Sequence, residues 1–462
     1  MKRVQGEGIV LLGAPLGSAA FVASEVKKKV SKIEEITELL PLLEDPHTEY
    51  VLLKSCLSLP KLSFVLRTVD TCPYVEHLQA FDRVNREALT RILGTPLDDQ
   101  TWQQAKLPIS MGGVGLRAAE DQAPAAYAAS VLSSQTLVQS LVGAHGADGG
   151  VDQDVGDGQH GSLGPQLLAA LSAAQGEGVV EAELEGLTQR MISSKIDQHQ
   201  QQRLKEMVGE EDTREKARLA SLSLPHAGDW LNCAPIKSLG LHLRPAEFVL
   251  ALKYRLGLAI YDAEGPCPAC LRLSDVMGDH ALCCGTGGER ISRHNALRDA
   301  FFDTAVSAGL GPSKEGRFLL PGVDRRPADV LVPLWAGGRD AAYDVTVVHP
   351  LQDATVVRAA NEPGHALNFA HDRKLRGAEE ECRQQGIAFL PLVAESLGGW
   401  HQCAEREVKK LGSALARHTG QLEGEAIAHL WGRLGILLQR GNAAILGNRV
   451  PNFPDAQVDG IV

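Results

Sequence analysis

Aromatic side chains are scarce in this chain, only 5% of 462 residues, and Ala, Gly and Leu dominate in their place. Positive charge is also in deficit. A net charge of −11 excludes a uniformly basic nucleic-acid coat, although it allows local basic surfaces. No uninterrupted apolar run reaches the roughly 18 residues of a membrane-spanning helix. The first residues lack the ordered basic, apolar and small-residue regions of a secretory signal, so a soluble intracellular protein is expected. Nine cysteines are too few to staple a chain of this length with disulfides.

What is present is unevenly distributed. Positive charge gathers at Lys2, Arg3, Lys27, Lys28, Lys29 and Lys32, and again at Arg290, Arg293, Arg317, Arg325 and Arg326. Acidic residues concentrate in Asp148–Asp157 and Glu177–Glu185. The opening run GIVLLGAPLGS reads as a strand and a turn. Residues 20–135 read as helices, with Leu and Val at three- and four-residue spacing and Pro41, Pro60 and Pro73 as punctuation. Residues 143–165 are rich in Gly and Asp and nearly free of large apolar side chains. Such a segment buries too little to offset its ordering entropy and is expected to be a flexible linker. Residues 166–222 look helical, and a further helix is expected over Pro245–Leu256.

Beyond Gly285 the pattern changes. A helix is expected over Ile291–Ala308, then β-like runs at Gly316–Leu320, Ala328–Leu334 and Ala342–Val348. A charged helix over Asn368–Gln385 and an apolar strand over Ile387–Val393 follow. Helix, three strands, helix, strand is an α/β order. A Leu-rich helix, Ile427–Gln439, and a loose tail close the chain. The fold class expected for the whole is α+β and multi-domain, divided at 1–135, 136–165, 166–262, 263–289, 290–400 and 401–462.

Four of the nine cysteines lie in CPACLRLSDVMGDHALCC. Cys267 and Cys270 make a C-x2-C turn; nine residues separate Cys270 from His280, and three separate His280 from Cys284. Three thiolates and one imidazole are a set that Zn2+ binds tetrahedrally, and with four protein ligands such an ion is structural. Cys283 competes with Cys284 for the last place. The plain alternative is a surface C-x2-C beside an unrelated histidine. Cys56, Cys72, Cys233, Cys382 and Cys403 are scattered and read as small apolar fillers.

A second constellation follows. Asp329 stands at a strand start and Asp344 inside a strand of apolar neighbours, a costly place for a lone charge. Two aspartates on neighbouring strands can grip Mg2+ or Mn2+ through oxygen, Glu315 lies beside the first run, and Lys374 on the following helix can neutralise developing charge. Arg290, Arg293 and His294 open a helix and are candidates for phosphate contacts, with Arg325 and Arg326. The plain alternatives are strand-end acids paired with Arg325 or Arg339, a surface helix lysine, and solvated charge at a helix end.

Together these residues resemble the restriction-like endonuclease at the C-terminal end of site-specific non-LTR retrotransposon proteins. That family carries a CCHC knuckle, here Cys267, Cys270, His280 and Cys284. A PD-x12–14-D motif follows, here Pro327-Ala328-Asp329, 14 residues, and Asp344. It departs from the pattern by one inserted residue. In PD-(D/E)xK nucleases the lysine often lies two positions after the second acid. That position is Thr346 here, so the resemblance moves the role to Lys374. GIVLLGAPLGS, LLKSCLSLPKLSFVLRT, FDRVNREALTRILG and WQQAKLPISMGGVGLR resemble the region after a reverse-transcriptase palm, including its thumb. No Tyr-x-Asp-Asp is present; Asp98-Asp99 sits in PLDDQTW, and no polymerase activity is expected.

The resemblance thus implies a helical thumb-like region, a zinc knuckle and a PD-(D/E)xK restriction-endonuclease-like domain. It implies a metal-dependent endonuclease that nicks DNA to prime reverse transcription, with structural Zn2+, catalytic Mg2+ or Mn2+, DNA and element RNA as partners, and nuclear residence. The alternative is a remnant that binds nucleic acid without cutting it, or a decayed one.

Overall fold

The computed structural model describes residues 7–146, 163–314 and 328–450. They form an α+β protein with two compact units. Of the described residues, the first comprises 7–43, 49–108, 114–146 and 163–207, and the second 44–48, 109–113, 208–314 and 328–450. Glu315, Arg317, Arg325, Arg326, the expected run Gly316–Leu320, most of the expected linker and the tail lie outside the described residues. Among those described, no helix is long and apolar enough to cross a membrane.

The first unit opens with a hairpin, β1 (Gly8–Leu11) and β2 (Ala14–Gly17), where one strand and a turn were expected. Helices follow: α1 (Ala19–Thr37), α2 (Pro46–Leu52), α3 (Leu59–Thr68), α4 (Val75–Leu93), α5 (Asp99–Lys106), α6 (Ala119–Gly146), α7 (Pro165–Gln175) and α8 (Gln189–Met207). Ser18 Oγ caps α1 by accepting from Phe21 N. Gly94, at φ +62°, ends α4 in the left-handed conformation that glycine adopts without a Cβ penalty. The apolar stripe Val22, Val26, Val30 and Ile33 of α1 packs with Leu62, Val65 and Leu66 of α3 and Phe81 of α4.

Asp82 of α4 reaches across to the start of α6, where its carboxylate accepts from Ala119 N at 2.7 Å and Glu120 N at 3.1 Å. Asp82→Ala strands both donors and should cost about 1–2 kcal/mol. Urea unfolding checks this; an unchanged midpoint would mean that water replaces the carboxylate.

Two expected boundaries shift. α6 runs on to Gly146, past the division at 135, although Leu137 and Leu141 on its last turns are exposed. The expected division 166–262 holds helices of both units. Leu167 and Leu171 of α7 and Ile192 and Ile196 of α8 pack with Ala125 and Ala128 of α6 in the first unit, whereas later helices belong to the second.

The second unit holds α9 (Thr213–Leu222), α10 (Pro245–Arg255), a two-residue ladder β3 (Gly265–Pro266) with β4 (Leu273–Ser274), α11 (Asp279–Cys283) and α12 (Glu289–Ser307). A four-stranded sheet in the order β5-β6-β7-β8 is its centre: β5 (Ser313–Lys314), β6 (Val330–Ala336), β7 (Arg339–Val348) and β8 (Ala388–Glu395). β5, β6 and β7 are antiparallel neighbours, and β7 and β8 are parallel. The connection between those last two carries α13 (Val356–Asn361) and α14 (His365–Gln384), because parallel strands need a crossover. α15 (Gln402–Thr419) and α16 (Glu423–Gly447) complete the unit.

Successive side chains on β7 point to opposite faces. Ala341, Tyr343 and Val345 join Leu297 and Phe301 of α12, Ala404 and Val408 of α15 and Leu430 and Leu434 of α16. Ala342 joins Ala378 and Cys382 of α14 on the other face. The sheet is therefore sandwiched. α15 and α16, where one Leu-rich helix was expected beyond residue 400, supply a large part of one face of the core.

Candidate metal centre and active site

The knuckle is built by a turn and a short helix. Cys267 N donates to Arg272 O and Leu271 N to Cys267 O, each at 2.8 Å, which folds Cys270 back beside Cys267. Leu271 takes φ +63° to make this reversal. Asp275 then starts α11 by accepting from Asp279 N (3.1 Å) and His280 N (2.7 Å). The ligand atoms of Cys267, Cys270, His280 and Cys284 all lie within 4.8 Å of one another, and His280 Nε2 is 3.2 Å from Cys270 Sγ. Three sulfurs and one imidazole nitrogen around one point are a donor set that can hold a metal such as zinc.

Burial raises the Cys284 thiol, but hydrogen bonding from the Thr286 backbone, Cys270 and Arg449 outweighs it and brings the pKa to about 7. The Arg449 guanidinium also stands 4.0 Å from Cys267 Sγ and pairs with Glu289 at 2.8 Å. Cys283, the competitor, is outside the cluster, its thiol pushed up to about 12 by burial and by the charge of Asp279. Cys283→Ser should therefore retain one zinc per chain and Cys284→Ser should lose it. Metal analysis of the two purified variants reads this directly; the reverse result would exchange their roles.

The second cluster lies where four elements meet. Asp329 immediately precedes β6, and its backbone extends the ladder by donating to Tyr343 O at 2.8 Å. Its carboxylate is clamped from both sides: Oδ2 accepts from Val345 N at 2.7 Å, and Oδ1 lies 3.1 Å from His294 Nε2 on α12. Asp344 points to the α14 face of the sheet, one register step from Ala342. There Lys374 Nζ stands 2.8 Å from Asp344 Oδ2, and Thr346 Oγ1 donates to the same oxygen at 3.3 Å.

Electrostatics follow from that packing. Burial raises the Asp344 pKa; Lys374 opposes the rise and the Asp329 charge adds to it. The hydrogen bond to Asp329 raises the pKa of His294 against the opposing effect of burial. A cleft of about 350 Å3 opens here, lined by Asp344, Lys374, His294, Thr346, Arg290 and Gly287.

The candidate residues are thus partly assembled. Asp329, Asp344, Lys374 and His294 converge, and Arg290 lines the same cleft while its Nη1 donates to Cys283 O at 2.9 Å. Arg293 also borders this cleft, with its guanidinium engaged by a second helix. It continues the buried stripe of Leu297, Ala300 and Thr304 along α12 and donates to Asn442 Oδ1 of α16 at 2.6 Å. With 3% of its surface exposed it ties two helices together, and burial lowers its pKa to about 10. Sequence reasoning missed Arg449, Asp275 and Asp279, the last held by Arg214 Nη2 at 3.0 Å and Tyr254 Oη at 2.8 Å. Only the S-D-V-M-G-D spacing ahead of His280 hinted at a capped helix.

Compared with known proteins, the chain matches no family model and no curated relative.

Proposed function

We propose that this protein is a metal-dependent DNA endonuclease whose reaction centre is the cleft between α12, the sheet and α14. One observation carries the reading: Asp344, held by a helix lysine, lines a cleft beside His294, the helix histidine that holds Asp329 at the start of the adjacent strand. The strand order and the Cys3His cluster that precedes α12 in the chain support the resemblance to the restriction-like nucleases of non-LTR retrotransposons.

Asp329 and Asp344 would hold Mg2+ or Mn2+, since carboxylate oxygens suit a hard divalent cation and such a charge would offset the desolvation that Asp344 suffers. Bound there, the ion supplies Lewis-acid stabilisation of the scissile phosphate. The chain's own residues do the rest. Val345 N and His294 fix the orientation of Asp329, and Thr346 and Lys374 fix that of Asp344. The Lys374 ammonium is one-third exposed toward the cleft and neutralises charge that develops on the phosphate oxygens. Arg290 contacts the strand backbone and positions it without reading sequence. In the reaction a water oxygen bonds to phosphorus, the P–O3′ bond breaks and O3′ takes a proton, leaving a 3′-hydroxyl that can prime synthesis.

Nicking of supercoiled plasmid by the full chain with Mg2+ or Mn2+, beside Asp344→Ala, tests this. Cleavage by the parent and none by the variant supports the nuclease. A folded, zinc-loaded parent that binds DNA and leaves it uncut would favour the non-catalytic remnant.

A further inference from the structure

The tip of the β6–β7 hairpin and the exposed stripe of α15 present an arrangement that the cleft does not use. The ladder between these strands slips at a bulge between Val332 and Ala336. Within it Leu334 adopts φ +53° and stands 72% exposed. A leucine in the left-handed region is strained, and a large apolar side chain in water adds a second cost. Its amide is held in place by Asp340 Oδ1 at 3.0 Å, so the loop is built to display it. Bulges commonly re-aim side chains in this way.

Beside the bulge lies a cleft of about 520 Å3 lined by Trp335, Arg339, Lys410, Ser413, Arg417 and Glu423, with Gly337 at the hairpin turn. On α15, Arg406, Lys410, Ser413 and Arg417 recur at four-, three- and four-residue spacing and so share one face, opposite the buried Ala404, Val408 and Leu411. Lys410 leans on Glu407 at 2.6 Å and Glu423 accepts from Ser413 at 2.6 Å. Arg339, Arg406 and Arg417 are exposed and, among the described residues, pair with no carboxylate. Unneutralised arginines gathered on one face of a chain with net charge −11 are the reverse of its average surface.

We infer that this face, the hairpin tip with the outer stripe of α15, is a second contact surface for duplex DNA, separate from the cleft. Arg339, Arg406 and Arg417 contact phosphates, and Leu334 packs against sugars or base edges, where apolar side chains of DNA-bending proteins are found. The inference rests on the nuclease reading for its choice of DNA. Arg339 and Asp344 share β7 but project to opposite faces of the sheet, so this surface lies on the α15 side and the cleft on the α14 side.

The test uses the full chain and a fluorescein-labelled DNA duplex without added divalent metal, so that binding is read apart from cutting. Arg339→Ala with Arg417→Ala should weaken binding at least about tenfold at 0.1 M salt and make the salt slope shallower by about two. Leu334→Gly should weaken it severalfold while leaving the thermal midpoint unchanged or higher, because glycine accepts that φ without strain. Unchanged affinity and slope in the folded double variant would overturn the inference. If the parent nicks plasmid and the double variant nicks and binds like it, the nuclease stands and this surface fails. If binding falls as expected while the parent cuts nothing, the surface stands and the nuclease reading fails.

Discussion

Asp344→Ala should reduce the rate of plasmid nicking by about 10^3-fold, equivalent to about 4 kcal/mol of transition-state stabilisation. Asp344 sits in mid-strand with its backbone in register with Pro391, so removing its side chain leaves the β7–β8 ladder intact. What goes is one of two carboxylates that can hold the ion, together with the partner that positions the Lys374 ammonium at 2.8 Å. Stability should change little or rise, because a carboxylate that burial penalises has been deleted and the lysine left behind is one-third exposed. A large loss of nicking with an unchanged thermal midpoint is therefore the expected pair. Loss of both together would make Asp344 a structural residue. Undiminished nicking would place the chemistry elsewhere in the molecule.

Stripping the metal from the Cys3His cluster should unfold or loosen the second unit as a whole. The cluster is set into the core: Cys267 is fully buried, and Ala281 and Leu282 between the last two ligands pack with Tyr254, Tyr261, Ile445 and Leu446. Arg449, itself buried, reaches Cys267 Sγ, Thr286 O and Glu289. Losing the ion removes the cross-link that closes the knuckle, and the thiolates that partner Arg449 take up protons. Structural zinc sites couple ion binding to folding, and a loss of at least about 5 kcal/mol would lower the transition of a unit this size by about 10 °C or more. Calorimetry before and after chelation, with a zinc add-back, reads this. An unaltered upper transition would mean that the cluster can be emptied without consequence for the fold.

The same packing has a functional corollary. Gly285–Glu289 joins the knuckle to α12, and α12 carries His294 and Arg290. A zinc-free protein should lose the geometry of the cleft along with its stability.

Local patterns made much of this legible. The alternation and apolar density of AAYDVTVV marked β7. The charged period of NFAHDRKLRGAEEECRQ marked α14 to within a few residues of His365–Gln384. The C-x2-C spacing and His280 named the cluster that the fold assembles. Other features were invisible because no local pattern encodes them. Arg293 and Arg290 look alike in ERISRHN and both border the cleft, yet Arg293 is buried against Asn442; the distinction depends on where α16 packs. α15 has a strongly amphipathic sequence, but its role in covering the sheet depends on a return of the chain after β8. The bulge at Leu334 left no recognisable turn signature beyond Gly337-Gly338.

By itself the sequence determined which residues can do chemistry: a soft Cys3His donor set, two strand aspartates and a helix lysine. These follow from residue type and short spacing, which act over a few ångströms of chain. Only the tertiary structure decided which of them meet. Asp329 is brought against β7 by antiparallel pairing, Lys374 is returned to Asp344 by the crossover between two parallel strands, and His294 reaches Asp329 because α12 packs on the same sheet. Those contacts are set by how apolar faces far apart in the chain share one core, and periodicity within a segment carries no record of which other segment will cover it.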